Sequence, residues 1–176
     1  MGRGSGDQDS ASGGRRRALD PRALLAALRA HHVEFVVIGG FCVVAHGVVR
    51  ATKDVDIVPA PSAANRARLA GALSALLAEV DLGDMPPHEP GLQPDEEGLA
   101  AGGNWMLQTI HGRLDVMQDV PGLSSWAQLR ARALESGGVL YAGYEDLIGM
   151  KSAAGRDEDL IDIAKLRAAR GEDEQR

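Results

Sequence analysis

The spacing of apolar residues switches between helical and strand periods along this chain, and the switches divide it into elements. Leu24, Leu25 and Leu28 share one face of a 3.6-residue period, behind an Asp20-Pro21 pair suited to a helix start. Val33 to Ile38 is a short β-branched run of strand length, stopped by Gly39-Gly40. Phe41 to Gly47 fits a short helix. Asp54 and Asp56 then interleave with Val55, Ile57 and Val58 as a second strand, closed by Pro59 and Pro61. Ser62 caps a predicted helix through about Glu79, with Leu69, Leu73, Leu76 and Leu77 inward. Trp105 to Ile110 and Arg113 to Met117 flank His111-Gly112 as a hairpin. Ser124 or Ser125 opens a helix to about Leu134, and Val139 to Tyr141 is one more strand. Two helices follow, Tyr144 to Ala154 and Arg156 to about Arg170, the second with Leu160, Ile163, Ala164 and Arg167 along one stripe.

The remaining stretches lack either period. Residues 83–103 carry four of the eight prolines with several glycines and acids, the composition of a long surface loop. Residues 1–18 are glycine, serine and charge, predicting a disordered, locally basic arm, and residues 171–176 predict a frayed tail. The expectation is one α+β domain over residues 19–170: a small mixed β-sheet flanked by helices, with helices at its C-terminal end.

Composition narrows the function classes. The 176 residues are 44% hydrophobic and 25% charged, with a mean hydropathy of −0.15, the balance of a folded domain. Aromatics reach only 3%, so the core must be aliphatic. A formal charge of −6 argues against a protein that coats nucleic acid, while leaving room for a local basic groove. Cys42 is the single cysteine, which excludes a disulfide framework and a cysteine-built zinc site. No apolar run approaches a membrane span, and the arginines near Met1 have no apolar segment behind them. A cytoplasmic protein without membrane association is the expectation.

Candidate chemistry concentrates between Val36 and Val58. Asp54 and Asp56 point to one face of their strand, because side chains alternate. Two carboxylates held that close are costly unless a cation neutralises them, and oxygen-only ligands suit Mg²⁺ or Mn²⁺. Gly39-Gly40 at a strand–helix junction lets backbone N–H groups approach an anion. An Asp-x-Asp pair is also used by metal-dependent glycosyltransferases, but here both acids sit inside an apolar strand pattern, a poor place for solvated charge. Asp115 adds a third carboxylate: with Arg113 and Met117 it faces the side opposite Leu114 and Val116. Three carboxylates on adjacent strands would suit two divalent ions about 3.5–4 Å apart, the arrangement used for in-line phosphoryl displacement.

These residues resemble the signature of minimal nucleotidyltransferases of the DNA polymerase β-like superfamily. That signature is an apolar strand, Gly-Gly or Gly-Ser, a spacer, Asp-x-Asp, and a later lone Asp on a neighbouring strand. The segments HGVVRATKDVD, GRLDV and YEDLIGMKSAAGRDEDLIDIAKL are similar to the small bacterial subgroup related to abortive-infection and toxin–antitoxin nucleotidyltransferases. The resemblance spans about residues 33–167 and implies a nucleotidyltransferase-like fold. It implies that Gly39 and Gly40 hold the nucleotide triphosphate, that Asp54, Asp56 and Asp115 bind Mg²⁺ or Mn²⁺ and are catalytic, and that Asp115 helps deprotonate the acceptor hydroxyl. Lys151 matches a basic residue near the phosphates. Arg50 and Thr52 precede the acidic pair in the expected place, with Arg50 either touching phosphate or bracing the acids. Arg156 with Asp159 and Asp162 resembles an R-x-x-D-x-x-D continuation, read as a structural ion-pair cluster.

The implied reaction moves a nucleoside monophosphate from an NTP to an acceptor hydroxyl, on RNA (tRNA included), a protein or a small molecule, with release of pyrophosphate. A partner protein belongs to the same expectation. The alternative is a non-catalytic nucleotide-binding module or partner subunit that kept the fold. Two features depart from the larger relatives: no separate acceptor-binding domain is expected after the last helix, and the surplus negative charge weakens a direct tRNA-binding reading. His46 is expected to be packed or capping, Trp105 and Trp126 to be anchors, and Cys42 a small buried hydrophobe.

Overall fold

The computed structural model describes residues 17–81 and 93–171. The basic arm apart from Arg17 and Ala18, the tail beyond Gly171 and the first part of the 83–103 segment lie outside the described residues.

The chain opens with α1 (Pro21–Ala30), whose N-cap Asp20 accepts a hydrogen bond from the Ala23 N–H and whose Leu24, Leu25 and Leu28 are buried. β1 (Phe35–Ile38) runs directly into α2 (Gly39–Ala45), so that helix begins two residues earlier than its apolar spacing predicts. β2 (Asp54–Pro59) follows, and α3 (Ala63–Ala75) is capped by the Ser62 side chain as expected. α3 stops before Glu79. Leu77 takes a left-handed φ of 49° and is 66% exposed instead of inward, while Leu69, Leu73 and Leu76 are buried. That turn frees Glu79–Val80 to form the short edge strand β3. Part of the expected loop is helical: Asp95 caps α4 (Glu96–Ala101), which buries Leu99.

β4 (Trp105–Thr109) and β5 (Gly112–Val116) form the expected hairpin, with the Thr109 hydroxyl donating to the Gly112 carbonyl across the turn. α5 (Trp126–Arg132) ends before Leu134, which instead begins β6 (Leu134–Ser136), an exposed edge strand paired antiparallel with β7 (Val139–Tyr141). α6 (Tyr144–Ala154) and α7 (Asp157–Ala169) complete the fold. On α7 the inward stripe is Asp159, Asp162, Ile163 and Leu166. Leu160, at 56% exposure, and Ala164 and Arg167 face outward, a rotation from the predicted stripe. Hydrophobicity selected the wrong face because two acids on the true inner face are buried as ion pairs.

The seven strands form one mixed sheet in the order β3-β4-β5-β2-β1-β7-β6. β1 pairs antiparallel with β2 and parallel with β7, and β2 pairs parallel with β5. This is the expected α+β architecture. Strand alternation divides the core in two. Val37, Val55, Ile57, Leu114 and Val116 pack with Leu24, Leu28, Leu69 and Leu73 beneath α1 and α3. Val36, Ile38 and Val58 pack with Cys42, Val43, Leu129, Leu147 and Leu166 on the other face. Each fully buried leucine contributes about 1.5–3 kcal/mol, so the aliphatic residues carry most of the core, with Phe35 and Trp105 buried among them.

Asn65 locks two strand ends together. Its amide donates to the Glu34 and Ala60 carbonyls at 2.8 and 3.0 Å, and its carbonyl accepts from the Glu34 N–H at 2.7 Å. Fixing the ends of β1 and β2 fixes the register that carries the site. Among the described residues, no helix is long and apolar enough to cross a membrane.

Candidate active site

Three adjacent strands build the floor of a cleft of about 710 Å³. Because β2 and β5 run parallel, Asp56 stands directly opposite Asp115 and Asp54 opposite Arg113. With neighbouring strands about 4.8 Å apart, the carboxylates share one face of the sheet while Val55, Ile57, Leu114 and Val116 anchor the other. β1 pairs Ile38 with Asp56, which sets the Gly39 turn beside the same carboxylate. Gly39 has φ +61°, and a Cβ there would overlap the Asp56 carboxyl group. At Gly40 a Cβ would sit 2.8 Å from the Thr52 hydroxyl. Both positions therefore exclude side chains for steric reasons, which leaves backbone facing the cleft. Gly39, Gly40, Arg50, Thr52, Asp54, Asp56, Asp115 and Lys151 all line it. Every site residue named from the sequence is thus brought to one cavity.

Electrostatics distinguishes these acids from ordinary surface carboxylates. Burial, reinforced by Asp54 and Asp115, pushes Asp56 up to about 6. Burial also raises Asp115, against the opposing bond from Arg113. Arg113 grips Asp115 with a two-pronged bond, Nε to Oδ1 at 3.0 Å and Nη2 to Oδ2 at 3.1 Å, and its Nε lies 3.9 Å from Asp54 Oδ2. Among the described residues, no three acidic, histidine or cysteine side chains are gathered into a metal-binding cluster. The three carboxylates share a face by strand position, but they do not converge as a ready-made triad. Asp115 is turned to a guanidinium instead.

The opposite wall comes from the loop before β2 and from α6 and α7. Lys151 is only 5% exposed, and its ammonium contacts Asp159 Oδ1 at 2.9 Å and Asp162 Oδ2 at 2.7 Å. Arg156 reaches Asp159 at 2.7 Å, and Arg50 pairs with Asp162 and with Glu158 at 3.2 Å. Burial works against Asp159, yet hydrogen bonds from Arg156 and Lys151 hold it below the usual carboxylate range. The ion-pair reading of Asp159 and Asp162 is met in these contacts. Arg50 braces Asp162 and Glu158 of α7 and not the Asp54–Asp56 pair that it precedes.

Two cleft residues were not singled out as functional from the sequence. Arg113 shares the Asp115 face, and the two-residue period of a strand was the available signal. Lys53 lines the cleft and forms no ion pair among the described residues, unlike Arg50, Arg113, Lys151 and Arg156. His46 is packed, its Nε2 lying 2.8 Å from the Ala142 carbonyl. Cys42 is fully buried, donates to that same carbonyl, and burial pushes its thiol up to about 12, so it is an inert core residue.

Known structures share this arrangement of strands and helices. The solution structure of the antibiotic-resistance factor ANT(2'')-Ia superposes with a TM-score of 0.50 and 14% identity, covering 84% of this chain and 80% of that one. The chain has a nucleotidyltransferase-like fold. The crystal structure of ANT(2'')-Ia in complex with adenylyl-2''-tobramycin gives a TM-score of 0.51 at 14% identity, over 87% of this chain and 88% of that one. No protein-family model matches the chain, and no curated protein does.

Proposed function

We propose that this protein transfers a nucleoside monophosphate from an NTP to an acceptor hydroxyl and releases pyrophosphate. The observation that carries the reading is the β2–β5 register, which sets Asp54, Asp56 and Asp115 on one cleft face beside the Gly39–Gly40 turn. In the transfer, the acceptor oxygen forms a bond to the α-phosphorus and the bond to the bridging oxygen of pyrophosphate breaks. Gly39 and Gly40 present backbone to the triphosphate. Asp115 orients the acceptor hydroxyl and takes its proton. Thr52, whose hydroxyl bonds the Asp54 carbonyl at 3.0 Å, steadies the start of β2. Lys151 and Arg50, tied to Asp159 and Asp162, stiffen the phosphate wall.

The chemistry of the donor set fits a divalent cation: oxygen-only ligands on adjacent strands, with Asp56 and Asp115 both raised by burial. Asp54, Asp56 and Asp115 would hold Mg²⁺ or Mn²⁺, which supplies charge neutralisation at the transferring phosphoryl group. The adenylyl-2''-tobramycin in the ANT(2'')-Ia complex supports a hydroxyl-bearing small molecule as one acceptor class, beside RNA and protein. A cytoplasmic location, a partner protein and a toxin–antitoxin setting belong to the same reading. The Arg113–Asp115 pair favours a second reading, a nucleotide-binding module that does not turn over. Calorimetry with each NTP, with and without Mg²⁺, followed by pyrophosphate release in the presence of RNA, protein and aminoglycoside acceptors separates them. Mg²⁺-dependent NTP binding with acceptor-dependent pyrophosphate release is expected. Binding without release from any acceptor would leave the second reading standing.

A further inference from the structure

We propose that Arg113 is a positioning residue whose grip on Asp115 competes with the divalent cation and is exchanged for it when Asp115 takes up its role. This rests on the nucleotidyl-transfer reading and adds to it a residue that the reading does not use.

The geometry is specific. Arg113 and Asp115 are two residues apart on β5, so they share the cleft face, and the guanidinium fork meets both oxygens of the carboxylate at 3.0 and 3.1 Å. A bidentate arginine–carboxylate pair is directional and strong compared with a point-charge contact. The same guanidinium leans toward Asp54 at 3.9 Å, while among the described residues no salt bridge reaches Asp56, which feels Lys151 and Arg156 only at longer range. One positive group therefore offsets part of a three-carboxylate cluster and ties up one member of it. A divalent cation on Asp115 would bring two like-charged groups to one carboxylate and compete with the fork for its oxygens, and in this proposal the pair opens as the metal binds there. Asp54 and Asp56 remain available for the cation that accompanies the nucleotide. Asp115 joins after Arg113 lets go, and the released guanidinium stays in the cleft, which it already lines.

Mn²⁺ binding to the nucleotide-free protein, read from the free-ion electron paramagnetic resonance signal, tests this without any turnover. Arg113→Gln should tighten Mn²⁺ binding by about tenfold, since a competing cation is gone. Arg113→Lys should fall between it and the parent, keeping charge but losing the fork. Adding Asp115→Asn to Arg113→Gln should erase the gain, because the two act as one pair. In metal-free buffer Arg113→Gln should melt lower than the parent, and Mn²⁺ should restore it. Mn²⁺ binding that depends on Asp56 but ignores both Arg113 variants would overturn the exchange alone. Binding indifferent to Asp56→Asn would remove the cation from these carboxylates, and the exchange would fall together with the reading beneath it. Should Arg113→Gln fail to fold, the lysine variant decides: parent-like affinity in Arg113→Lys overturns the proposal.

Discussion

The cleft has two charged walls made from the same residue types, and they behave in opposite ways. Along α6 and α7, Lys151, Arg156 and Arg50 meet Asp159, Asp162 and Glu158, and Asp159 is held below the ordinary carboxylate range. On β2 and β5, among the described residues, Arg113 is the cation within salt-bridge reach of Asp54 and Asp115, and burial pushes Asp56 up to about 6 even against the more distant Lys151 and Arg156. Buried charge that is fully paired builds a wall. Buried charge left partly unpaired costs stability and survives where something outside the chain completes it. On the proposed reading β2–β5 is the reacting side and α6–α7 its frame, although both carry Asp at helical or strand spacing in the sequence.

The contrast is sharpest in turnover. Asp54→Asn and Asp56→Asn should each abolish Mg²⁺-dependent transfer and leave the fold intact. Asp115→Asn should keep Mg²⁺-NTP affinity while lowering the single-turnover rate by several orders of magnitude, since the nucleophile loses its metal contact and local base. Near-normal turnover in Asp115→Asn would sink the three-carboxylate mechanism. The frame should respond in stability instead: Lys151→Met leaves Asp159 and Asp162 under-compensated and should cost about 3 kcal/mol in urea unfolding. An unchanged midpoint would mean that the network is not structural.

Smaller effects refine the comparison. Gly40→Val should weaken NTP binding by about tenfold while Mg²⁺ binding changes less, because the added branch meets Thr52 and blocks backbone approach to phosphate. Equal NTP affinity in a folded variant removes the cradle. The two walls should also carry opposite pH signatures. Asp56 is raised in the folded state, so its contribution is present at low pH and lost as pH rises through about 6. Metal-free protein should therefore gain about 1 kcal/mol from this group between pH 7 and pH 5, and Asp56→Asn should flatten that slope. Asp159 is lowered, so its contribution is lost as pH falls below the ordinary carboxylate range. Denaturant midpoints across pH 3–8 read both. Lys53→Ala should give the mildest effect, about a threefold loss of nucleotide affinity that fades at high salt, as for an exposed cation.

The strand carrying Asp54 and Asp56, the glycine turn and the Asp115 hairpin were legible because each is a local pattern: alternation, a β-branched run, a turn pair. Their assembly on one floor was an inference from the strand faces, supported by resemblance. The β2–β5 pairing that brings Asp115 to Asp56 joins distant segments, and no local signal reports it. Two kinds of error have physical causes. Leu77 and Leu160 read as inward because hydrophobicity is a one-way rule; the true inner stripe of α7 includes two aspartates whose burial depends on Lys151, on another helix. β3, α4 and β6 were missed because segments this short carry little period, and neighbours in space fix them. The Arg113 grip on Asp115 was readable as a shared face but not as a bond.

The sheet order has a consequence for a chain still being made. β2 is synthesised well before β5, and until β5 arrives its outer side is an open edge next to β1. Open edges invite pairing with other chains, and charged side chains along them are a common deterrent. Asp54 and Asp56 sit on that edge, so the repulsion that later awaits a cation would first keep the half-built sheet from joining the wrong strand. Asp54→Asn with Asp56→Asn should then scatter more light during refolding than the parent, and the corresponding valine pair more still, because the valines also raise the strand's β-propensity and apolarity.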